Sequence, residues 1–115
     1  MDVDIKGFEI NWKVARQARN NLDFFGYNNV ITTGNMHDIK EHFDVAIIDI
    51  PYGLFSPITF DQQKKIIKTA RRITDKLVLI TFEDMDDSII SAGFNIIDRC
   101  QISKGKFNRY ISVCN

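Results

Sequence analysis

The residues with the most evident chemical potential stand in one run, Asp49-Ile50-Pro51-Tyr52-Gly53. An acidic side chain, a proline-stiffened turn and an aromatic ring follow one another directly. The Asp49 carboxylate and an exposed Ile50 carbonyl can both accept hydrogen bonds from an exocyclic amine. Tyr52 offers a face for a planar base, a stacking contact worth about 1–3 kcal/mol per base in other systems. Asp49 can also take the proton that such an amine sheds. The plainer reading is a strand-ending turn with a packed tyrosine.

Two weaker groups share this pattern of polar residues after an apolar run. Glu9, followed by Ile10, can accept hydrogen bonds from the two hydroxyls of a ribose; alternatively it is a solvated acid that favours the start of a helix. In Gly34-Asn35-Met36 the amide can meet an adenine amino group while Met36 packs on the ring, although Gly and Asn are also ordinary turn formers.

Other candidates are less specific. Lys104, Lys106, Phe107, Asn108 and Arg109 cluster near the C-terminus, where basic residues beside an aromatic can touch a nucleic-acid backbone. Lys64, Lys65, Lys68, Arg71 and Arg72 read as a solvated helix face. His37 and His42 read as surface residues. Cys100 and Cys114 form no C-x-x-C pair, so they read as small buried side chains in a reducing compartment, with no metal site expected.

The elements that must position these groups follow from periodicity. Residues 3–9 alternate and predict a strand. Val14, Ala18, Leu22 and Phe25 recur at helical spacing, predicting a helix over 11–25 with Asn11 as N-cap and Gly26 as its stop. Residues 29–33 predict a short strand. Residues 43–49 form a continuous apolar run, as in a strand covered on both faces. Thr59 with Gln62 makes a capping-box pattern, and Ile66, Ile67, Ala70 and Ile73 fall on one face of the helix that follows. Residues 76–82 predict a strand and 86–92 a short helix stopped by Gly93. Residues 94–102 and 107–114 predict an antiparallel hairpin. Strands alternating with helices argue an α/β domain with a mostly parallel sheet and a C-terminal antiparallel hairpin. In such sheets ligands bind beyond the carboxyl ends of the strands, where Glu9, Asn35 and Asp49 all fall.

The chain has 115 residues, 44% of them hydrophobic, which suits a single domain over 1–115 with one core. Its formal net charge is zero, with 15 basic and 15 acidic residues. A protein gripping a phosphate backbone by itself shows a basic excess, so any grip on RNA is local or comes from an additional domain or subunit. No secretory signal and no apolar run of membrane-spanning length is present, so a cytoplasmic protein without membrane partners is expected.

In order and spacing, Gly7-Phe8-Glu9-Ile10-Asn11, Gly34-Asn35-Met36 and Asp49-Ile50-Pro51-Tyr52-Gly53 resemble the class I S-adenosylmethionine-dependent methyltransferases. The last motif is most similar to the D-P-P-Y-G of RNA methylases acting on the N2 amino group of guanine, commonly in tRNA. The resemblance spans nearly the whole chain and implies a partial Rossmann-like methyltransferase fold. It implies that Glu9 and Ile10 hold the ribose of S-adenosylmethionine, that Asn35 and Met36 frame its adenine, and that Asp49 borders the cofactor. Asp49, Pro51 and Tyr52 would present the target amine in line with the methyl group. Ile50, Gly53, Phe107 and Arg109 would contact the substrate. No metal is implied.

The sequence departs from that family in three places. Asn35 stands where an Asp is usual, and Ile50 where the first Pro of the motif is usual. The family's first strand and Gly-rich loop have no counterpart, since no two of the six glycines form a G-x-G. A gap is therefore expected between the strand ending at Glu9 and the strand ending at Asp49. A fragment of a longer enzyme is the favoured explanation. The alternatives are a homodimer or strand exchange covering the open edge, and a non-catalytic binding or assembly module. A similar motif also serves methylation of protein amides and small-molecule amines.

Overall fold

A computed structural model describes residues 4–28, 30–50 and 58–115, with the backbone alone at Lys104 and Phe107. The chain divides into two compact units, Met1–Ile39 and Lys40–Asn115.

In the first unit, β1 (Gly7–Glu9) pairs in parallel with β2 (Ile31–Thr33), joined by helix α1 (Trp12–Phe24). The Asn11 side chain accepts from the N–H groups of Lys13 and Val14, satisfying donors that have no partner inside the helix. Gly26, at φ 83°, ends the helix as expected. Strand β1 is shorter than the alternation of residues 3–9 suggests. Its partner β2 offers only three residues, and Asp4, Ile5 and Lys6 lie exposed outside the pair. A single 3-10 turn, Met36–Asp38, follows β2.

In the second unit, β3 (Phe43–Asp49), β4 (Thr74–Thr81), β5 (Ile96–Lys104) and β6 (Phe107–Cys114) form one sheet in the order β3-β4-β6-β5. Strands β3 and β4 are parallel, and β6 is antiparallel to both of its neighbours. Strands β1 and β3 belong to different sheets. Helix α2 (Phe60–Ile73) begins in the expected capping box: the Gln62 N–H donates to the Thr59 hydroxyl, and the Thr59 N–H donates to the Gln62 side chain. Helix α3 (Asp86–Ser91) ends at Gly93, whose φ of 101° suits glycine. The hairpin is tighter than the sequence suggests. Its strands run to Lys104 and resume at Phe107, leaving Gly105-Lys106 as a two-residue loop with Gly105 at φ 62°.

Alternation sorts the second sheet into two faces. Leu77 and Leu79 of β4 and Cys114 of β6 are fully buried with Ile67 and Ala70 of α2 and Ile89 of α3, and Ala46, Ile48 and Ile96 pack at the margin. Burying a side chain such as Leu79 contributes about 2 kcal/mol. The other face departs from expectation. Residues 43–49 read as a strand covered on both sides, yet Val45 is 53% and Ile47 74% exposed. A continuous apolar run fits a doubly covered strand, but both helices of this unit, α2 and α3, pack on the face of Leu77 and Leu79 and not on that of Val45 and Ile47. Cys100 is also exposed, against the expectation of two buried cysteines. Among the described residues no helix is long and apolar enough to cross a membrane.

Candidate functional site

Asp49 is the last residue of β3 and lies opposite Ile80 of β4, which in turn lies opposite Ile111 of β6. Two residues further towards the carboxyl end of β4, on the same face, is Phe82. Two residues before Ile111 along the antiparallel β6 is Arg109, also on that face. Register alone therefore converges Asp49, Phe82 and Arg109 at one corner of the sheet, beyond the carboxyl ends of the parallel strands.

The side chains complete this arrangement. Arg109 Nη1 stands 3.9 Å from Asp49 Oδ2, with side-chain exposures of 42% and 54%. The Arg109 guanidinium lies over the Phe82 ring, 5.5 Å from its centroid. A carboxylate, a guanidinium and an aromatic ring thus meet within reach of solvent. Ile50 turns the other way. Its side chain enters the core, its N–H donates to the Ile80 carbonyl at 2.9 Å, and the residue is only 3% exposed. It anchors the strand end that carries Asp49. Pro51, Tyr52 and Gly53, and the ring of Phe107, lie outside the described residues and atoms.

In the first unit the strand ends also converge. The Gly34 N–H donates to the Glu9 carbonyl at 2.9 Å, which brings the Gly34-Asn35-Met36 turn against the end of β1. Glu9 is half-buried, and its Oε1 accepts from the Asn11 N–H at 3.3 Å. The Asn35 Oδ1 accepts from the His37 N–H at 2.9 Å, capping the 3-10 turn that starts at Met36. Asn35 and Met36 are half-buried, whereas Ile10 is 68% exposed. An acid acceptor and an amide at adjoining strand ends suit the hydroxyls and amino group of a nucleoside. The helix-capping role of Asn35 occupies part of its acceptor capacity.

Several other charged residues have structural partners. Arg71 lies over the Phe94 ring and Lys64 over the Phe60 ring. His42 bridges the Arg72 carbonyl and the Asp75 carboxylate. Arg99 pairs with Asp86 and reaches the buried Ser112 hydroxyl. The Arg99 guanidinium beside Asp86 holds that carboxyl below the usual carboxylate range. Burial pushes the Cys114 thiol up. Phe82 is the site residue that sequence reading missed. Its signal, an aromatic just past the end of an apolar strand, becomes specific only once the register with β3 and β6 is known.

No protein-family model matches the chain, and no curated protein matches its sequence. Its fold does have solved counterparts. Magnesium protoporphyrin IX methyltransferase from Synechocystis PCC 6803, solved with bound S-adenosylmethionine, aligns with a TM-score of 0.74 at 15% identity, over 95% of this chain and 58% of that one. An S-adenosylmethionine-dependent methyltransferase from Clostridium acetobutylicum aligns at 0.71 with 11% identity, over 93% and 72%. The tRNA (uracil-54, C5)-methyltransferase of Pyrococcus abyssi, in complex with S-adenosyl-L-homocysteine, aligns at 0.67 with 14% identity, over 97% and 28%. The chain therefore has the Rossmann-like α/β fold of S-adenosylmethionine-dependent methyltransferases, spanning 58% of the length of the first of these counterparts.

Proposed function

We propose that this chain is the catalytic half of a methyltransferase acting on an exocyclic amine of a nucleic-acid base, with guanine N2 of RNA, commonly tRNA, as the target. The observation that carries this reading is the half-exposed Asp49 carboxylate at the carboxyl end of β3, in a fold shared with methyltransferases. S-adenosylmethionine would supply the methyl group. Glu9 at the end of β1 and Asn35 beside it fit the ribose and adenine of that cofactor, with Ile10 and Met36 as apolar neighbours. The sequence offers no G-x-G loop for the remaining part, which a further segment or subunit would provide.

The chemistry asked of the protein is modest. Asp49 accepts a hydrogen bond from the target amine and so fixes the direction of the nitrogen lone pair. S-adenosylmethionine, when bound, would supply the methyl group and leave as S-adenosylhomocysteine, and Asp49 would accept the proton that the target nitrogen sheds. By the resemblance of the motif, Pro51 and Tyr52 would help to present the target base. Orientation supplies most of the rate, since holding two reactants in line removes entropy that they would otherwise lose in the transition state. RNA capture would rest on an additional domain or subunit, because the chain has no net charge of its own.

A second reading, a non-catalytic binding or assembly module, is favoured by the missing G-x-G alone. Calorimetry with S-adenosylmethionine and S-adenosylhomocysteine separates the two. Binding weakened by Glu9→Ala supports the transferase reading. If neither ligand binds the protein with any partner it requires, the module reading replaces it.

A further inference from the structure

The corner formed by Asp49, Phe82 and Arg109 holds more information than an amine acceptor needs. A carboxylate beside a stacking ring reads only the donors on a base edge and takes no account of the acceptor that follows them. Here a guanidinium stands 3.9 Å from that carboxylate, and Phe82 lies beneath it. An ionised carboxylate only accepts, and a guanidinium only donates through a planar fork. Side by side they present two acceptor oxygens followed by a donor.

Resting on the reading of Asp49 given above, we infer that Arg109 is a specificity-determining residue that selects guanine. The Watson–Crick edge of guanine carries two donors in a row, at N2 and N1, followed by the O6 acceptor. The Asp49 oxygens accept from the first two and the Arg109 fork donates to the third. Adenine and cytosine each offer one amino donor on that edge and place an acceptor where guanine has N1–H, so the second Asp49 oxygen would face a lone pair. Hypoxanthine keeps N1–H and O6 but lacks the N2 amine. Phe82, directly after the end of β4, supports the arrangement by lying against the guanidinium of Arg109. Both charged side chains are about half exposed, so a base can reach them.

The test is a heteronuclear NMR titration of the isotope-labelled protein with the 5′-monophosphates of guanosine, inosine, adenosine and cytidine, which share one phosphate and ribose. Shifts are expected around Asp49, Phe82 and Arg109, with guanosine monophosphate preferred by about tenfold or more over the adenosine and cytidine compounds, since one good multi-point base contact discriminates on that scale. Arg109→Ala should lower the preference over the adenosine compound severalfold, because adenine carries C2–H where guanine has the O6 acceptor, while the part set by the second Asp49 oxygen remains; Arg109→Lys should retain more of it through its single charged donor. Well-dispersed spectra of both variants show that they are folded. If Arg109→Ala keeps the full preference while Asp49→Ala abolishes binding, the assignment of Arg109 is overturned and the reading of Asp49 stands. If no nucleotide binds the wild-type protein, or if Asp49→Ala changes nothing, the underlying reading fails and the inference fails with it.

Discussion

Arg99 on β5 and Asp86 at the start of α3 form a charge-assisted pair that ties the outer strand to the helix beneath it. The carboxyl of Asp86 is held below its ordinary value of 3.8, first by the hydrogen bond from Arg99 and then by its charge. A carboxylate favoured in this way contributes stability that is fully present above the ordinary value. That stability is lost as pH falls below 3.8 towards the lowered folded value. Arg99→Ala should therefore cost about 1 kcal/mol near neutrality, a modest amount because both side chains remain a third exposed to screening water. The difference from wild type should shrink below pH 3.8. Urea denaturation at several pH values checks this, and a pH-independent difference would show that the pair acts through packing alone.

The capping box of α2 gives a second test. Thr59→Ala removes the acceptor for the Gln62 N–H, and Asn11→Ala does the same at α1 for the N–H groups of Lys13 and Val14. Each should lower the unfolding free energy by about 1 kcal/mol. Leu79→Ala, at a fully buried position, should cost about 3 kcal/mol through lost burial and the cavity left behind. Chemical denaturation of the three variants should reproduce this ranking. A Leu79 variant no weaker than the cap variants would contradict the described core.

Those caps were legible in the sequence because they are local: Thr59 and Gln62, or Asn11 and Gly26, state their role within one helical turn. The bounds of β3 were legible for the same reason, since an apolar run ends at Asp49 and a proline follows. Three features were not legible, and each depends on distant partners. The length of β1 is limited by the three residues of β2. The exposure of Val45 and Ile47 depends on which face α2 and α3 cover, which an apolar run does not encode. The meeting of Asp49, Phe82 and Arg109 depends on the register of three strands, one of them antiparallel. The resemblance of the Asp49 motif to a methylase signature pointed to the right fold, because such motifs sit at strand ends where local sequence and topology coincide.

The open edge predicts association. Val45 and Ile47 stand on an edge strand, largely exposed, and such edges recruit further strands unless they are charged or covered. Ile47→Lys should cost the monomer little stability, because the side chain is already 74% exposed, and should reduce concentration-dependent self-association in analytical ultracentrifugation. An unchanged sedimentation profile with wild-type association intact would place the contact elsewhere.

Label transfer decides whether Asp49 presents a target amine for methylation. Radiolabelled S-adenosylmethionine and unmodified tRNA are incubated with wild-type protein and with Asp49→Ala, together with any partner the protein requires, and the labelled base is identified after digestion. N2-methylguanine is expected from the wild type, with a loss of about a hundredfold or more in the variant and cofactor affinity changed little, because the amine is oriented by this side chain. Label appearing equally with Asp49→Ala, or none with the wild type, would contradict this role of Asp49.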